Sequence, residues 1–89
     1  MKEYPYLSQA LSQSIELIRR KRKISKVRLA DFSCLERRYL REIELGTKKP
    51  TVNAIYSICE ALDISPIEFF SIVEEERDKS VFGNFSFYS

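Results

Sequence analysis

Apolar residues recur with helical spacing in two short segments that lie close together near the middle of the chain. In the first, Ser25 stands in an N-capping position ahead of a small apolar group, Val27, Leu29 and Ala30. In the second, one helical stripe is formed by Leu35, Tyr39, Leu40 and Ile43. Gly46 follows it, as glycine commonly does at a helix C-terminus. The spacing predicts a helix that closes within 31–34, a tight turn, and a second helix over 36–45.

Three further helices are predicted around this pair. The first begins at Ser8, which is expected to be its N-cap, and carries Leu11, Ile15 and Ile18. The fourth begins at Thr51, and its stripe consists of Val52, Ile55, Ile58, Cys59 and Leu62. The fifth begins with a capping box at Ser65, Pro66 and Glu68. Its apolar positions are Ile67, Phe70, Ile72 and Val73. The prediction is an all-α domain of five helices within residues 8–78.

The two ends of the chain differ from this helical part. Residues 1–7 contain Pro5 and two tyrosines without a clear period, and we interpret them as an extended arm. Residues 79–89 carry several aromatic side chains, which are rare in a disordered tail. This tail either folds back over the core or docks on a second subunit, and the residues leave both alternatives open. The candidate dimerisation residues are Phe69, Phe70, Val81, Phe82, Phe85 and Phe87.

Charge is distributed unevenly along the chain, although the formal net charge is only +2. Residues 19–50 hold twelve Lys/Arg and four Asp/Glu, a net charge of +8, whereas the remainder carries −6. The basic block coincides with the helix, turn and helix described above. A helix-turn-helix with a basic exposed face can insert its second helix into the major groove of DNA. The pattern therefore indicates one surface that faces a polyanion.

Other classes of function are disfavoured by what the sequence does not contain. The chain has no histidine, and its two cysteines lie 25 residues apart, which excludes the common Cys/His zinc sites and His-based catalysis. Both cysteines are expected to be small buried hydrophobic residues. Neither a signal peptide nor a membrane-length apolar run is present, so we expect a cytoplasmic protein without a membrane partner. We expect no enzymatic activity, no cofactor, no metal and no small-molecule ligand.

An ordered set of residues between Leu11 and Phe70 resembles the lambda-repressor-like (Cro/C1, XRE-type) family of helix-turn-helix DNA-binding domains. The set consists of Leu11, Ile15, Ile18-Arg19, Ile24-Ser25, Leu29-Ala30, Tyr39-Leu40, Ile43-Glu44, Gly46, Pro50, Ala61-Leu62, Ile64-Ser65 and Phe69-Phe70. Three positions depart from the family pattern. Lys26 replaces a frequent glutamine, Arg28 replaces a capping-box acid, and Cys34 replaces the glycine of the turn.

The resemblance implies roles for individual residues. Arg19 and Glu44 match an ion pair that ties helix 1 to helix 3. Helix 3 matches the recognition helix, and its base-reading candidates are Glu36, Arg37, Arg38, Arg41 and Glu42. The phosphate-binding candidates at the start of helix 2, in the loop after helix 3 and in the adjoining basic block are Arg22, Lys23, Lys26, Arg28, Tyr39, Thr47, Lys48 and Lys49.

The chemistry of these side chains leaves some assignments open. The guanidinium fork of arginine can bond guanine O6 and N7 together, so Arg37 and Arg38 indicate guanine in each half-site. One of the two could equally bind phosphate without choosing a base. Glu36 could accept a hydrogen bond from cytosine or serve as a helix cap.

The resemblance and the charge pattern together predict a dimeric transcriptional regulator that binds a near-palindromic operator in double-stranded DNA. A protein-interaction module on the same five helices is the alternative, because a fold does not fix a function. A phage-type repressor, a restriction–modification controller and an antitoxin-like autoregulator all fit this prediction.

Overall fold

The structure is a computed structural model that describes residues 4–83, with side chains for residues 4–81. Five helices occur within these residues. In chain order the helices are α1 (Leu7–Lys21), α2 (Lys26–Ser33), α3 (Arg37–Glu44), α4 (Val52–Ala61) and α5 (Pro66–Gly83). No strand occurs within the described residues. The prediction of an all-α, five-helix domain is confirmed.

The first and last helices pack against each other and support the other three. α1 and α5 run antiparallel, because the residues before α1 contact the end of α5 and the residue after α1 contacts the turn before α5. α3 packs on α1, while α2 packs on α4 and α3. Every helix contributes to one core, which consists of Ala10, Leu11, Ile15, Ile18, Leu29, Ala30, Leu40, Ile43, Ile55, Ile58, Cys59, Leu62, Phe69 and Val73.

Hydroxyl side chains cap the N-termini of three helices, as their sequences predict. Ser25 accepts a hydrogen bond from the Arg28 N–H, and Ser65 accepts one from the Glu68 N–H, both at 3.1 Å. Thr51 caps α4 in the same way. α1 differs, because it begins at Leu7 after the left-handed Tyr6 and has no side-chain cap. The prediction that Ser8 caps α1 is therefore wrong.

Four helices end in the same backbone motif, in which a left-handed residue allows two N–H groups to bond back to the last turn. After α3, for example, Gly46 and Thr47 donate to the Ile43 and Glu42 carbonyls, both at 3.0 Å. The left-handed positions are held by Lys23, Cys34, Gly46 and Asp63. Only one of the four is glycine, so three helix ends carry the strain of a side chain at positive φ.

The buried face of α5 differs from the predicted one. Phe69 and Val73 are buried, whereas Ile67 is 82% exposed and Phe70 is 41% exposed. Apolar residues lie on two faces of this helix, so their spacing does not identify the face that contacts the core. Val52 at the start of α4 is also 70% exposed, because the turn that contacts the core begins with Ala54 and Ile55.

The chain ends only partly follow the predicted boundaries. α5 continues through the charged residues to Gly83, so the first residues of the predicted tail are helical. Near the other end, the Pro5 carbonyl accepts a hydrogen bond from Arg77 Nε at 3.2 Å, which holds this part of the chain against α5. Pro5 and Tyr6 form a turn, and Leu7 already belongs to α1, so the prediction of an extended arm is wrong for the described residues 4–7. Val81 is half-buried. The Phe82 side chain, Phe85 and Phe87 lie outside the described residues, and their role in dimerisation stays a prediction.

The two cysteines occupy different environments. Cys59 is buried in the core, and burial raises the pKa of its thiol to about 11. Cys34 is exposed in the turn after α2, so the expectation that both are buried is wrong. Within residues 4–83, no helix is both long and apolar enough to cross a membrane.

The left-handed Cys34 offers a test of the backbone argument. Its φ is 59°, a region that costs a residue with a Cβ atom about 1–2 kcal/mol. A glycine at this position avoids the strain, but its greater conformational freedom in the unfolded chain offsets part of the gain in unfolding free energy. We expect Cys34→Gly to raise the free energy of unfolding by about 1 kcal/mol. Cys34→Ala is the matched control, because it removes the thiol and keeps the strain; an equal gain in both variants in urea titrations would contradict the argument.

Candidate nucleic-acid interface

A buried ion pair fixes α3 relative to α1. Arg19 Nε donates to Glu44 Oε1 at 3.1 Å, and the two side chains are only 9% and 6% exposed. Arg19 Nη1 also donates to the Ile24 carbonyl at 3.0 Å. Lys26 Nζ lies 3.7 Å from the second carboxylate oxygen, Glu44 Oε2. One carboxylate therefore joins the end of α1, the start of α2 and the end of α3.

The turn between α2 and α3 comprises only three residues, 34–36. The left-handed Cys34 turns the chain, and the Leu35 N–H then donates to the Ala30 carbonyl at 3.1 Å. Inside the last turn of α2, the buried Ser33 hydroxyl donates to the Leu29 carbonyl at 2.6 Å. These bonds satisfy the end of α2 locally and set the angle at which α3 leaves the turn.

The outer face of α3 is cationic. Leu40 and Ile43 are buried, while Arg37, Arg38 and Arg41 are exposed. Three arginines within five residues therefore share the part of this helix that the core does not cover. Glu36 precedes them at the N-cap position, where its side chain makes no capping hydrogen bond.

A groove of about 580 Å³ brings the cations of two helices together. Lys26 from α2 lines it together with Arg37 and Arg41 from α3, and Val27 and Leu45 supply apolar walls. The groove therefore joins one predicted phosphate-binding residue of α2, Lys26, to two predicted base-reading residues of α3, Arg37 and Arg41.

The loop after α3 is held against that helix by the backbone of Glu42. The Thr47 hydroxyl and the N–H groups of Thr47 and Lys48 all donate to the Glu42 carbonyl, at 3.0–3.3 Å. Lys48 Nζ lies 5.7 Å from the centre of the Tyr39 ring. The Tyr39 hydroxyl accepts the Thr51 N–H at 3.1 Å, which leaves its own proton available to a further acceptor. Lys49 is exposed in the same loop.

The side chain of Glu42 binds two of the predicted DNA contacts. Its Oε1 lies 3.0 Å from Arg38 Nε, and its Oε2 lies 3.6 Å from Lys48 Nζ. Both carboxylate oxygens are thus engaged by cations of the chain itself. The i,i+4 spacing of Arg38 and Glu42 predicts the first contact, whereas the resemblance implies a base-reading role for Glu42.

Other members of the basic block lie elsewhere. Arg22 Nη2 donates to the Asp63 carbonyl at 2.9 Å, so this side chain braces the turn between α4 and α5. Lys23 occupies the left-handed position after α1, and Arg28 is exposed in the first turn of α2. Arg77 is not among the predicted site residues, yet its side chain binds the Pro5 carbonyl, which lies just before α1.

The Arg19–Glu44 pair predicts a specific pattern of stabilities. Each single change, Arg19→Met or Glu44→Leu, leaves one buried charge without its partner and should cost about 3–5 kcal/mol of unfolding free energy. The double variant removes both charges and should cost much less than the sum. Urea unfolding of the four proteins measures the coupling. Strictly additive losses would mean that the pair contributes no mutual stabilisation.

Comparison with known proteins identifies the family. A family model described as helix-turn-helix matches residues 15–69, well over half of the chain. A search of curated proteins finds no match. The crystal structure of the wild-type restriction–modification controller protein C.Esp1396I is similar, with a TM-score of 0.76 and 27% identity over 82% of this chain and 96% of that one.

Two further structures contain the same relative on DNA. C.Esp1396I bound to a 19 base-pair duplex has a TM-score of 0.75 and 28% identity, covering 80% of this chain and 95% of that one. Its tetramer in complex with its natural 35 base-pair operator has a TM-score of 0.76 and 27% identity, covering 82% and 96%. With five helices, a three-residue turn and the match over residues 15–69, the chain belongs to the helix-turn-helix family of lambda-repressor-like (XRE, Cro/C1-type) DNA-binding regulators.

Proposed function

We propose that this regulator binds a near-palindromic operator as a homodimer, with α3 of each subunit in the major groove. The observation that carries the proposal is the outer face of α3, where Arg37, Arg38 and Arg41 are all exposed on a helix that the core holds rigidly through Leu40 and Ile43. A protein-interaction module would not require three arginines on this particular face.

Base recognition is assigned to the arginines of α3. An arginine side chain that reaches a guanine edge makes two parallel hydrogen bonds, to O6 and N7, and this contact discriminates against other bases. Arg37 lines the groove beside Lys26, so it can read a base while the lysine binds a neighbouring phosphate. Glu36, which makes no capping bond, is free to accept a hydrogen bond from cytosine N4.

Phosphate binding is assigned to groups on both sides of α3. Lys26 stands at the start of α2, and Thr47, Lys48 and Lys49 form the loop after α3. Cations at these two ends would clamp the backbone on either side of the bases that α3 contacts, which fixes the register of the helix in the groove. The hydroxyl group of Tyr39 is a further hydrogen-bond donor for phosphate.

Dimerisation is assigned to an apolar patch at the junction of α4 and α5. Tyr56, Ile67 and Phe70 are 57%, 82% and 41% exposed, and they line one shallow depression with Pro66. Adjacent exposed apolar groups of this kind usually mark an interface. Phe69 is withdrawn from the predicted dimerisation residues, because it is fully buried in the core of its own subunit. Val81 and the tail aromatics stay candidates.

A two-fold dimer has a geometric consequence for its operator. Its two α3 helices should enter major grooves about 34 Å apart, so the half-sites should lie one helical turn apart. Among the contexts that fit a small regulator of this family, the similarity to C.Esp1396I favours a restriction–modification controller.

The two kinds of basic residue should respond differently to substitution by alanine. Arg37→Ala or Arg38→Ala should cost about 1–3 kcal/mol of binding free energy on the operator, because a base contact is lost, and far less on scrambled DNA. Lys48→Ala and Lys49→Ala should weaken binding to both DNAs equally. Each should also reduce the slope of log affinity against log salt by about one.

Titrations on operator and scrambled duplexes at several salt concentrations measure both effects. The lysine variants serve as matched controls for loss of charge. If both arginine variants lose affinity equally on the two DNAs, α3 does not read the sequence. If the wild-type protein binds no DNA at all, the protein-interaction alternative replaces the proposal.

The dimerisation patch is tested by placing a charge in it. Ile67→Glu should shift the protein from dimer to monomer in sedimentation experiments, because the glutamate would be buried unpaired in the interface. The exposed side chain touches little in its own subunit, so the fold should be unaffected. Leu45→Glu, at a position 65% exposed at the end of α3, is the matched control and should stay dimeric. If Ile67→Glu stays dimeric, this patch is not the interface, and the tail becomes the candidate.

A further inference from the structure

Glu42 lies at a point where an acidic side chain is unfavourable for DNA binding. It belongs to α3, it is 28% exposed, and its neighbours on the surface are the residues assigned to bases and phosphates. A carboxylate among phosphates is repelled, so its presence there weakens association with every DNA sequence alike. The contacts of Glu42 with Arg38 and Lys48 suggest a role in sequence specificity that offsets this loss of affinity.

The first contact concerns Arg38. Its side chain is 89% exposed, and a free arginine at such a position samples many rotamers. The hydrogen bond from Arg38 Nε to Glu42 Oε1, at 3.0 Å, restricts those rotamers. It occupies one edge of the guanidinium and leaves the two terminal nitrogens available. Those two nitrogens are the donors that a bidentate contact with guanine O6 and N7 requires.

The second contact concerns Lys48. Its ammonium group lies 3.6 Å from Glu42 Oε2 and near the face of Tyr39. A lysine engaged by a carboxylate of its own chain contributes less to nonspecific attraction than a free one does. The same carboxylate therefore orders the base-reading side chain of Arg38 and restrains the phosphate-binding side chain of Lys48.

We infer that Glu42 is a specificity-determining positioning residue, which orders Arg38 for the operator and restrains the attraction of Lys48 for DNA of any sequence. The inference rests on the proposed function. It replaces the direct contact between Glu42 and a base that the sequence suggested, because both carboxylate oxygens already have cationic partners within the chain.

The test uses Glu42→Gln, which keeps the size of the side chain and removes its charge. Binding to scrambled DNA should strengthen, and its salt slope should steepen by less than one, because Glu42 restrains Lys48 only in part and the substitution releases it. The ratio of operator affinity to scrambled affinity should fall by about tenfold, since the ordering of Arg38 is lost at the same time. Circular dichroism verifies that the variant is folded.

Two further variants separate this role from a general charge effect. Glu76→Gln breaks a comparable ion pair, with Lys79, on a helix that makes no substantial contact with α3, and it should leave the ratio unchanged. In an Arg38→Ala background, Glu42→Gln should leave the ratio of operator affinity to scrambled affinity unchanged, because the release of Lys48 strengthens binding to both DNAs alike.

The possible outcomes are distinct. Equal strengthening on both DNAs, with the ratio unchanged, would overturn the inference and leave the proposed function intact. The same fall in ratio with and without Arg38 would also overturn it, because the effect would not pass through that arginine. A wild-type protein that binds operator and scrambled DNA equally would instead refute the proposed function itself.

Discussion

The buried ion pair between Arg19 and Glu44 is the contact on which the orientation of α3 depends. Burying two charges is costly unless each is paired and hydrogen-bonded, and both conditions are met here: Arg19 also bonds the Ile24 carbonyl, and Glu44 also attracts Lys26. The pair joins α1 to α3 through two residues that are 25 positions apart in sequence. An apolar contact at the same place would stabilise the domain without fixing the direction of the helix, because apolar contacts are not directional.

The same pair connects structure to function. Lys26 is an exposed partner of the buried Glu44 and also a candidate phosphate contact, so a DNA phosphate near its ammonium group would extend the network that holds α3. Glu42 plays the corresponding part at the exposed end, where it orders Arg38 and Lys48. Acidic side chains thus set the geometry of a basic surface, one from the interior of the domain and one from its rim.

Features governed by neighbouring residues could be predicted from the sequence. The capping residues Ser25, Thr51 and Ser65 predict the starts of three helices. The stripe through Leu40 and Ile43 identifies the buried side of α3. The exposed face of α5 could not be predicted, because Ile67 and Phe70 are as apolar as Phe69 and Val73, and packing on α1 decides between them. The link from Glu42 to Lys48 also escaped prediction, since it exists only once the loop after α3 folds back.

The proposed function requires that α3 reads a DNA sequence and that two copies of α3 do so together. Selection of bound sequences from a random pool of duplexes tests this most directly, with footprinting of the enriched sequence. We expect a motif with two-fold symmetry, guanines in each half-site, and half-sites about one helical turn apart. Recovery of a pool without any enriched motif, from a protein that binds the pool well, would contradict the proposed function.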